Sequence, residues 1–443
     1  MWVTWAASAA AAVWGLQEKP LLQLDVPGPY TARLEVPSFG TLQRLSREAA
    51  EEMRGAGGLG AVARRTVSAQ RAVLETVLSR PPSSAAAVRS LFERLGPTYV
   101  KVGQLIASSP SVASEELSRE FEKCFDAAPA VPFEALEIDT SGFEWVDPSP
   151  LATASVAQVH AARLKDGRSV VLKVRKPGVA EALRCDTAFV TIAAQYAEAF
   201  APELRRINLA RIARDVRASV AAELDFGVER RRLVEFQDFI DANGLGGLAA
   251  VPEPVHELSS DTVLTMTRLE GDPLASSSSS SSRAKPSDVE TLVRIWSLSV
   301  VRGPFFHADL HAGNCLLMKD GRLGLLDFGI VGRFSRRTYD AVSRMADAYR
   351  DRDALGLAGA LCDLGVAAKP GVDLQSLAAR LETLVFDDAR RRRADATVLV
   401  DVVDLAEEFE LELPSEFGLL VKQALYLDRF ISQLAPDLDA FRL

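Results

Sequence analysis

Apolar positions recur at helical spacing along most of this chain and at strand spacing in a few short stretches. Leu209, Ile212, Val216 and Val220 are three or four residues apart, which predicts an amphipathic helix within a helical stretch at 203–240. Phe417, Leu420, Val421, Ala424 and Ile431 repeat the pattern near the carboxyl end, with Ser415 placed to cap that helix. A further helix is predicted to start at Ser83 or Ser84 and to run through VRSLFERLGPTYVKVGQLIASS.

Residues 148–175 change character. Small residues give way to VHAARLKDGRSVVLKVRK, two β-like runs flanking Asp166-Gly167, a hairpin signal. DTVLTMTRL at 261–269 reads as a buried strand, and LGLLDF as a short strand after a second turn at Asp320-Gly321. From about Asp288 the pattern is otherwise helical.

Breakers punctuate this pattern. Pro20, Pro27, Pro29 and Pro37 interrupt the amino-terminal part, GAGGLG at 55–60 makes a joint, and Ser276–Ser282 is a low-complexity loop. The division that follows is a variable helical extension at 1–85, a first lobe with its lead-in helices at 86–270, and a mainly helical second lobe at 271–443. The expected class is α+β and two-lobed rather than a doubly wound sheet.

Composition narrows the function. The chain has 443 residues, and its net charge of −9 lacks the basic footprint of a nucleic-acid binder. Cys124, Cys185, Cys315 and Cys362 lie far apart with no CxxC pair, which argues against a zinc ribbon or a disulfide framework and for a reducing compartment. No run of eighteen apolar residues predicts a transmembrane helix. The first residues carry Trp2, Trp5 and Trp14, suited to a membrane interface. They lack the basic region of a signal peptide and are read, by a small margin, as a docked helix or the start of an incomplete gene model.

Chemistry concentrates in HADLHAGN, His307 to Asn314, and in DFG at Asp327 to Gly329. Asp309 and Asn314 are five apart, the D-x-x-x-x-N spacing of a kinase catalytic loop, and Asp327 follows thirteen residues later. Phosphoryl transfer needs one carboxylate at the nucleophile and an Asp/Asn pair on Mg²⁺; Asp309 fits the first role, Asn314 and Asp327 the second. Upstream, Ala152-Thr153-Ala154-Ser155 stands in the register of a kinase glycine loop, with Val159 as its valine and alanine at the three glycine places. Alanine restricts positive φ, so this loop is expected to be stiffer than a glycine loop. Lys173 in VVLKV, fourteen residues after Val159, matches the lysine that pairs with the α- and β-phosphates, and Met266 on the 261–269 strand is grouped with the nucleotide-binding residues.

Two more pieces lie outside the usual kinase pattern. KVGQ, Lys101 to Gln104, sits on a predicted helix whose Gly103 allows close approach, and ELDFGVE supplies Glu223, Asp225 and Glu229, with Asp225 and Glu229 four apart and able to project together. A competing reading takes His307, Asp309 and His311 as metal ligands, but it leaves Lys173 and DFG unexplained. His160 and His256 read as structural, and Arg390–Arg393 as a solvated helix face rather than a membrane patch.

These residues resemble the UbiB/aarF-domain atypical kinase family, whose KxGQ helix, Ala-rich loop, ExD motif, HxDxHxGN loop and DFG occur here in family order over about residues 90–435. The resemblance implies a protein-kinase-like bilobal fold with an added helical KxGQ element. It implies ATP and Mg²⁺ as cofactors, Asp309 as the catalytic aspartate, and Lys173 on the phosphates with Glu229 as its αC partner. Lys101 and Gln104, facing Glu223 and Asp225, are implied to fill the place where a kinase would take a peptide. It further implies an ATPase-like or atypical kinase activity serving prenylquinone or related isoprenoid lipid metabolism at a membrane. The expected partners are a prenyl-lipid ligand, a peripheral membrane contact and lipid-biosynthesis proteins, and the expected place is a plastid or mitochondrion. A catalytically weak nucleotide- and lipid-binding scaffold is the alternative. The chain departs from the family at Ser108–Ser111, at Thr153 and at Arg232, none a catalytic position, and Ala308 replaces the arginine of HRD as in the family. Without that arginine, control by a phosphorylated activation loop is not expected.

Overall fold

The computed structural model describes residues 37–96, 98–100, 103, 116, 120–121, 130–154, 156–200, 209–274, 284–367, 372–386, 397–436 and 438. The chain forms two compact units, one of residues 1–165 and 172–225, the other of 166–171 and 226–443.

The first unit opens with three helices, α1 Phe39–Gly55, α2 Gly58–Leu78 and α3 Ser84–Leu95. The expected Gly-rich joint separates α1 from α2, where Gly57 has φ +103. Ser83 caps α3 by accepting from the Ala86 amide, as its position suggested. The long helix expected onward from there is broken. Gly96, at φ +104, ends α3 before Pro97, and helical turns resume only at Thr98.

The strands β1 Phe143–Thr153, β2 Ala157–Leu164 and β3 Ser169–Arg175 follow. β1 runs antiparallel to β2, and the β2–β3 turn falls at Asp166-Gly167 with Gly167 at φ +89. Along β3, Val170, Leu172 and Val174 are buried on one face, which leaves Lys173 on the other. Helices α4 Val179–Phe200 and α5 Leu209–Leu224 complete this unit. Arg65 of α2 reaches Asp186 of α4 with Nε 2.5 Å from Oδ1 and Nη2 2.7 Å from Oδ2, and donates also to the Leu95 carbonyl. Asp186 is fully buried.

The helical stretch at 203–240 is two helices. α5 stops at Leu224, Asp225 is non-helical, and α6 runs over Phe226–Ala242. Asp225 thus falls at the break between the two helices, and Glu229 in the first turn of α6.

The second unit holds α6, then β4 Ala249–Ala250, β5 Val263–Thr267, β6 Gly271–Pro273 and α7 Pro286–Arg302. It continues with β7 Phe306–His307, β8 Cys315–Met318, β9 Leu323–Leu325 and β10 Val331–Gly332. A four-stranded sheet has the order β4-β9-β8-β6, with β8 and β9 forming the expected hairpin and Gly321 at φ +88 in its turn. The rest is α8 Arg336–Asp351, α9 Ala354–Leu364, β11 Val366–Ala367, α10 Leu374–Val385, α11 Thr397–Glu408, β12 Leu411–Glu412 and α12 Ser415–Leu434. Phe417, Leu420, Val421 and Ile431 are buried on α12 as its pattern predicts. Ser415 does not cap it: the N-cap is Pro414, and no side chain caps the helix. Among the described residues no helix is long and apolar enough to cross a membrane. The Trp-rich start and Arg390–Arg393 lie outside the described residues.

Candidate active site

The second unit assembles HADLHAGN and DFG into one bonded network. β7 delivers His307, and the Trp296 indole of α7 donates to the His307 carbonyl at 2.9 Å. The His307 ring is buried and uses both nitrogens: Nδ1 accepts the Asp309 amide at 3.1 Å, and Nε2 lies 2.9 Å from the Leu326 carbonyl. Since Nδ1 accepts, Nε2 carries the proton and donates to Leu326, so the ring is neutral. One side chain thus ties the residue before DFG to Asp309. It follows that His307 is no metal ligand, which removes the His-Asp-His reading. His311 also spends Nδ1, on the Gly313 amide at 3.1 Å. Among the described residues no cluster of three His, Cys, Asp or Glu suits a metal ion.

Asn314 sits at the end of the loop, just ahead of β8. Its Nδ2 donates to the Asp309 carbonyl at 2.9 Å, which turns Oδ1 away as an acceptor. Its own carbonyl takes the Leu326 amide at 2.9 Å, so the hairpin register sets Asn314 beside the residue preceding Asp327. Asp327 has φ +55, a left-handed conformation uncommon outside glycine, and its Oδ1 accepts the Gly329 amide at 3.1 Å. An amide oxygen just before β8 and a carboxylate just after β9 are the hard oxygen donors that suit Mg²⁺.

The contacts of four residues here were not legible in the sequence. Arg232 on α6, noted only as a departure from the family, donates through Nη1 to the carbonyls of Phe328 at 3.0 Å and Gly329 at 2.7 Å. Burial lowers the pKa of this guanidinium, opposed mainly by Glu229. One turn further along α6, the Phe236 ring lies 4.9 Å from that of Phe328, which also meets the His307 ring edge-to-face at 4.8 Å. Helix α6 therefore grips DFG by backbone and by ring. On α12, Lys422 Nζ lies 3.2 Å from Asp309 Oδ1. The fully buried Gln423 accepts the Leu310 amide at 2.7 Å and donates to the Leu310 carbonyl at 3.2 Å. The one available signal was a glutamine in an apolar stretch of α12.

Glu229 is buried on α6 and Met266 on β5, where Met266 bridges to Pro254. In the first unit, the β1–β2 register pairs Ala152 with Val159 and Thr153 with Gln158. Lys176 straps the turn between these strands: its amide donates to Val156 at 2.9 Å and its Nζ to the Ala154 carbonyl at 2.7 Å. Burial lowers the pKa of this ammonium. The loop is tied down beyond the stiffness that alanine confers. His160 is buried in β2, with Nε2 3.0 Å from Gln158 and Nδ1 2.8 Å from the Asp147 carbonyl, a structural residue as expected. Glu223 lies on α5 and Asp225 at its end. Lys101, Gln104 and Ser155 lie outside the described residues. Gly103 is described: a Cβ there would stand 2.5 Å from the Phe121 ring, the close approach its position implied. A small cleft of about 90 Å³ lined by Glu52, Arg184 and Arg217 contains none of the predicted site residues.

Burial lowers the pKa of His307, offset in part by its bond to Leu326. The unfolded chain therefore binds the proton first, and stability is lost as pH falls below the ordinary histidine value of 6.5. We expect the denaturation midpoint to drop between about pH 6.5 and 5 in the wild type and to drop less in His307→Phe, since the slope per proton is at most about 1.4 kcal/mol per pH unit. Equal slopes would refute a lowered His307 pKa.

An aspartate, an asparagine and a DFG aspartate beside the β8–β9 hairpin have the layout of a protein-kinase-like site. The ABC1 atypical kinase-like domain model matches residues 134–360, and the chain belongs to that family. An aarF domain-containing protein kinase of Arabidopsis thaliana, described as chloroplastic and uncharacterized, is 38% identical over 390 residues, covering 80% of this chain and 72% of the relative. The uncharacterized protein Rv0647c of Mycobacterium tuberculosis is 32% identical, covering 78% and 73%. A probable protein kinase UbiB of Pseudomonas entomophila is 30% identical, covering 81% and 69%.

Proposed function

We propose that the protein binds Mg-ATP and acts as an atypical kinase or ATPase that supports prenylquinone or related isoprenoid lipid metabolism. The observation that carries this reading is the bonded set of His307, Asp309, Asn314 and Leu326-Asp327, which matches the arrangement phosphoryl transfer needs. In it, Asp309 accepts the proton of the attacking hydroxyl or water. Asn314 Oδ1 and the Asp327 carboxylate are the groups that would hold Mg²⁺, which when bound would neutralise charge on the phosphates. Lys173 contacts the phosphates, and Glu229 has the αC role the family gives it. Ala152, Thr153, Ala154, Ser155, Val159 and Met266 belong to the nucleotide pocket, and Lys101, Gln104, Glu223 and Asp225 restrict access for protein substrates. The lipid branch, a plastid setting and a peripheral membrane contact rest on the relatives' names and the family resemblance.

The test is ATP turnover by the full chain. Hydrolysis that requires Mg²⁺ and disappears in Asp327→Asn is the expected result. Background rates for both proteins, with ATP binding intact, would leave the scaffold reading in its place.

A further inference from the structure

A carboxylate at the nucleophile poses an electrostatic problem, because the transferred phosphoryl group is itself anionic. Two negative groups a few ångströms apart repel unless a cation stands between or beside them. The catalytic loop of this chain supplies no permanent cation: HADLHAGN contains neither lysine nor arginine. Within the loop, His311 Nε2 is 3.9 Å from Asp309 Oδ2. His307, on the other side, is neutral and bonded to the Asp309 backbone.

We propose that Lys422, 113 residues downstream on α12, is the cation of the catalytic loop: it orients the Asp309 carboxylate and offsets its repulsion toward the phosphoryl group. The inference rests on the phosphoryl-transfer reading above. Three observations carry it. Lys422 Nζ donates to Asp309 Oδ1 at 3.2 Å, with both side chains between a quarter and a third exposed, at 29% and 27%. The next residue, Gln423, clamps both backbone groups of Leu310, so the lysine stem starts from a point fixed against the loop. The Tyr426 ring, one turn along, lies 5.8 Å from Nζ and favours a cation there. An ammonium has three donors, so binding Asp309 does not exhaust it. Lys422 is a positioning residue, since it works through the carboxylate that meets the nucleophile.

The test is steady-state ATP turnover with Mg²⁺ for wild type, Lys422→Met, Lys422→Arg, Asp309→Asn and the Lys422→Met/Asp309→Asn double variant. Lys422→Met is expected to lower kcat about tenfold or more, to leave KM for ATP within about threefold, and to be partly rescued by arginine. In the Asp309→Asn background the same substitution should cost little more, because the two residues act as a unit. A thermal midpoint near that of wild type checks the fold, and Lys422→Gln replaces Met if Met fails to fold. An unchanged kcat, a raised KM with kcat intact, or an equal loss in both backgrounds overturns the proposal while wild-type turnover keeps the functional reading. Absence of wild-type turnover overturns both.

Discussion

Asp309→Asn is expected to lower Mg-ATP turnover by about 10²–10⁴-fold, the range for removing a positioned general base. The substitution is isosteric, and the bonds that shape the loop are left in place. The Asp309 amide still reaches His307 Nδ1, its carbonyl still receives Asn314 Nδ2, and Leu310 stays clamped by Gln423. What disappears is the capacity to take a proton from the nucleophile and the charge that Lys422 pairs with. Nucleotide affinity should change little, since a general base acts on the acceptor rather than on the phosphates. Turnover kinetics together with a nucleotide-binding isotherm check both halves. A variant with wild-type kcat would show that Asp309 is not the base.

The largest expected effect on stability lies in the other unit. Asp186→Ala should destabilise the protein by about 3–5 kcal/mol, read as a lower denaturation midpoint. Asp186 is fully buried, and the Arg65 side chain is only 14% exposed, so alanine strands a guanidinium out of water. Burial, opposed by Arg65, holds the Asp186 carboxyl above the usual carboxylate range, which shows that desolvation consumes much of what the pair gains. Replacing both partners, as in Arg65→Met/Asp186→Leu, should therefore recover most of the loss. A double variant as unstable as Asp186→Ala would mean that the pair holds α2 to α4 by more than mutual neutralisation.

What was legible in the sequence was local. The hairpins at Asp166-Gly167 and Asp320-Gly321 follow from turn residues between alternating runs, and the catalytic loop from fixed spacings within eight residues. Periodicity misled where it ran on across a break. ELDFGVE keeps a helical pattern, yet Asp225 lies between α5 and α6. Gly96-Pro97 ended a helix that the apolar pattern alone would have extended. Contacts made at long range left almost no trace. Lys176 straps the Ala154 turn, and Arg232, Lys422 and Gln423 reach partners about a hundred residues away. A side chain acting over that separation has no periodic signature, because its partner is set by the fold and not by its neighbours in the chain.

The path of the chain between its two units also governs how the protein can be dissected. Residues 166–171 belong to the second unit although the flanking segments belong to the first, so three peptide bonds join the units rather than one. A fragment beginning at Phe226 would lack Ser169, whose carbonyl accepts the Arg268 amide just beyond β5 at 3.1 Å. Separate expression of either half would leave the second unit without a piece that lies inside the other's sequence. A permuted chain, or co-expression of both pieces, is the way to study them apart.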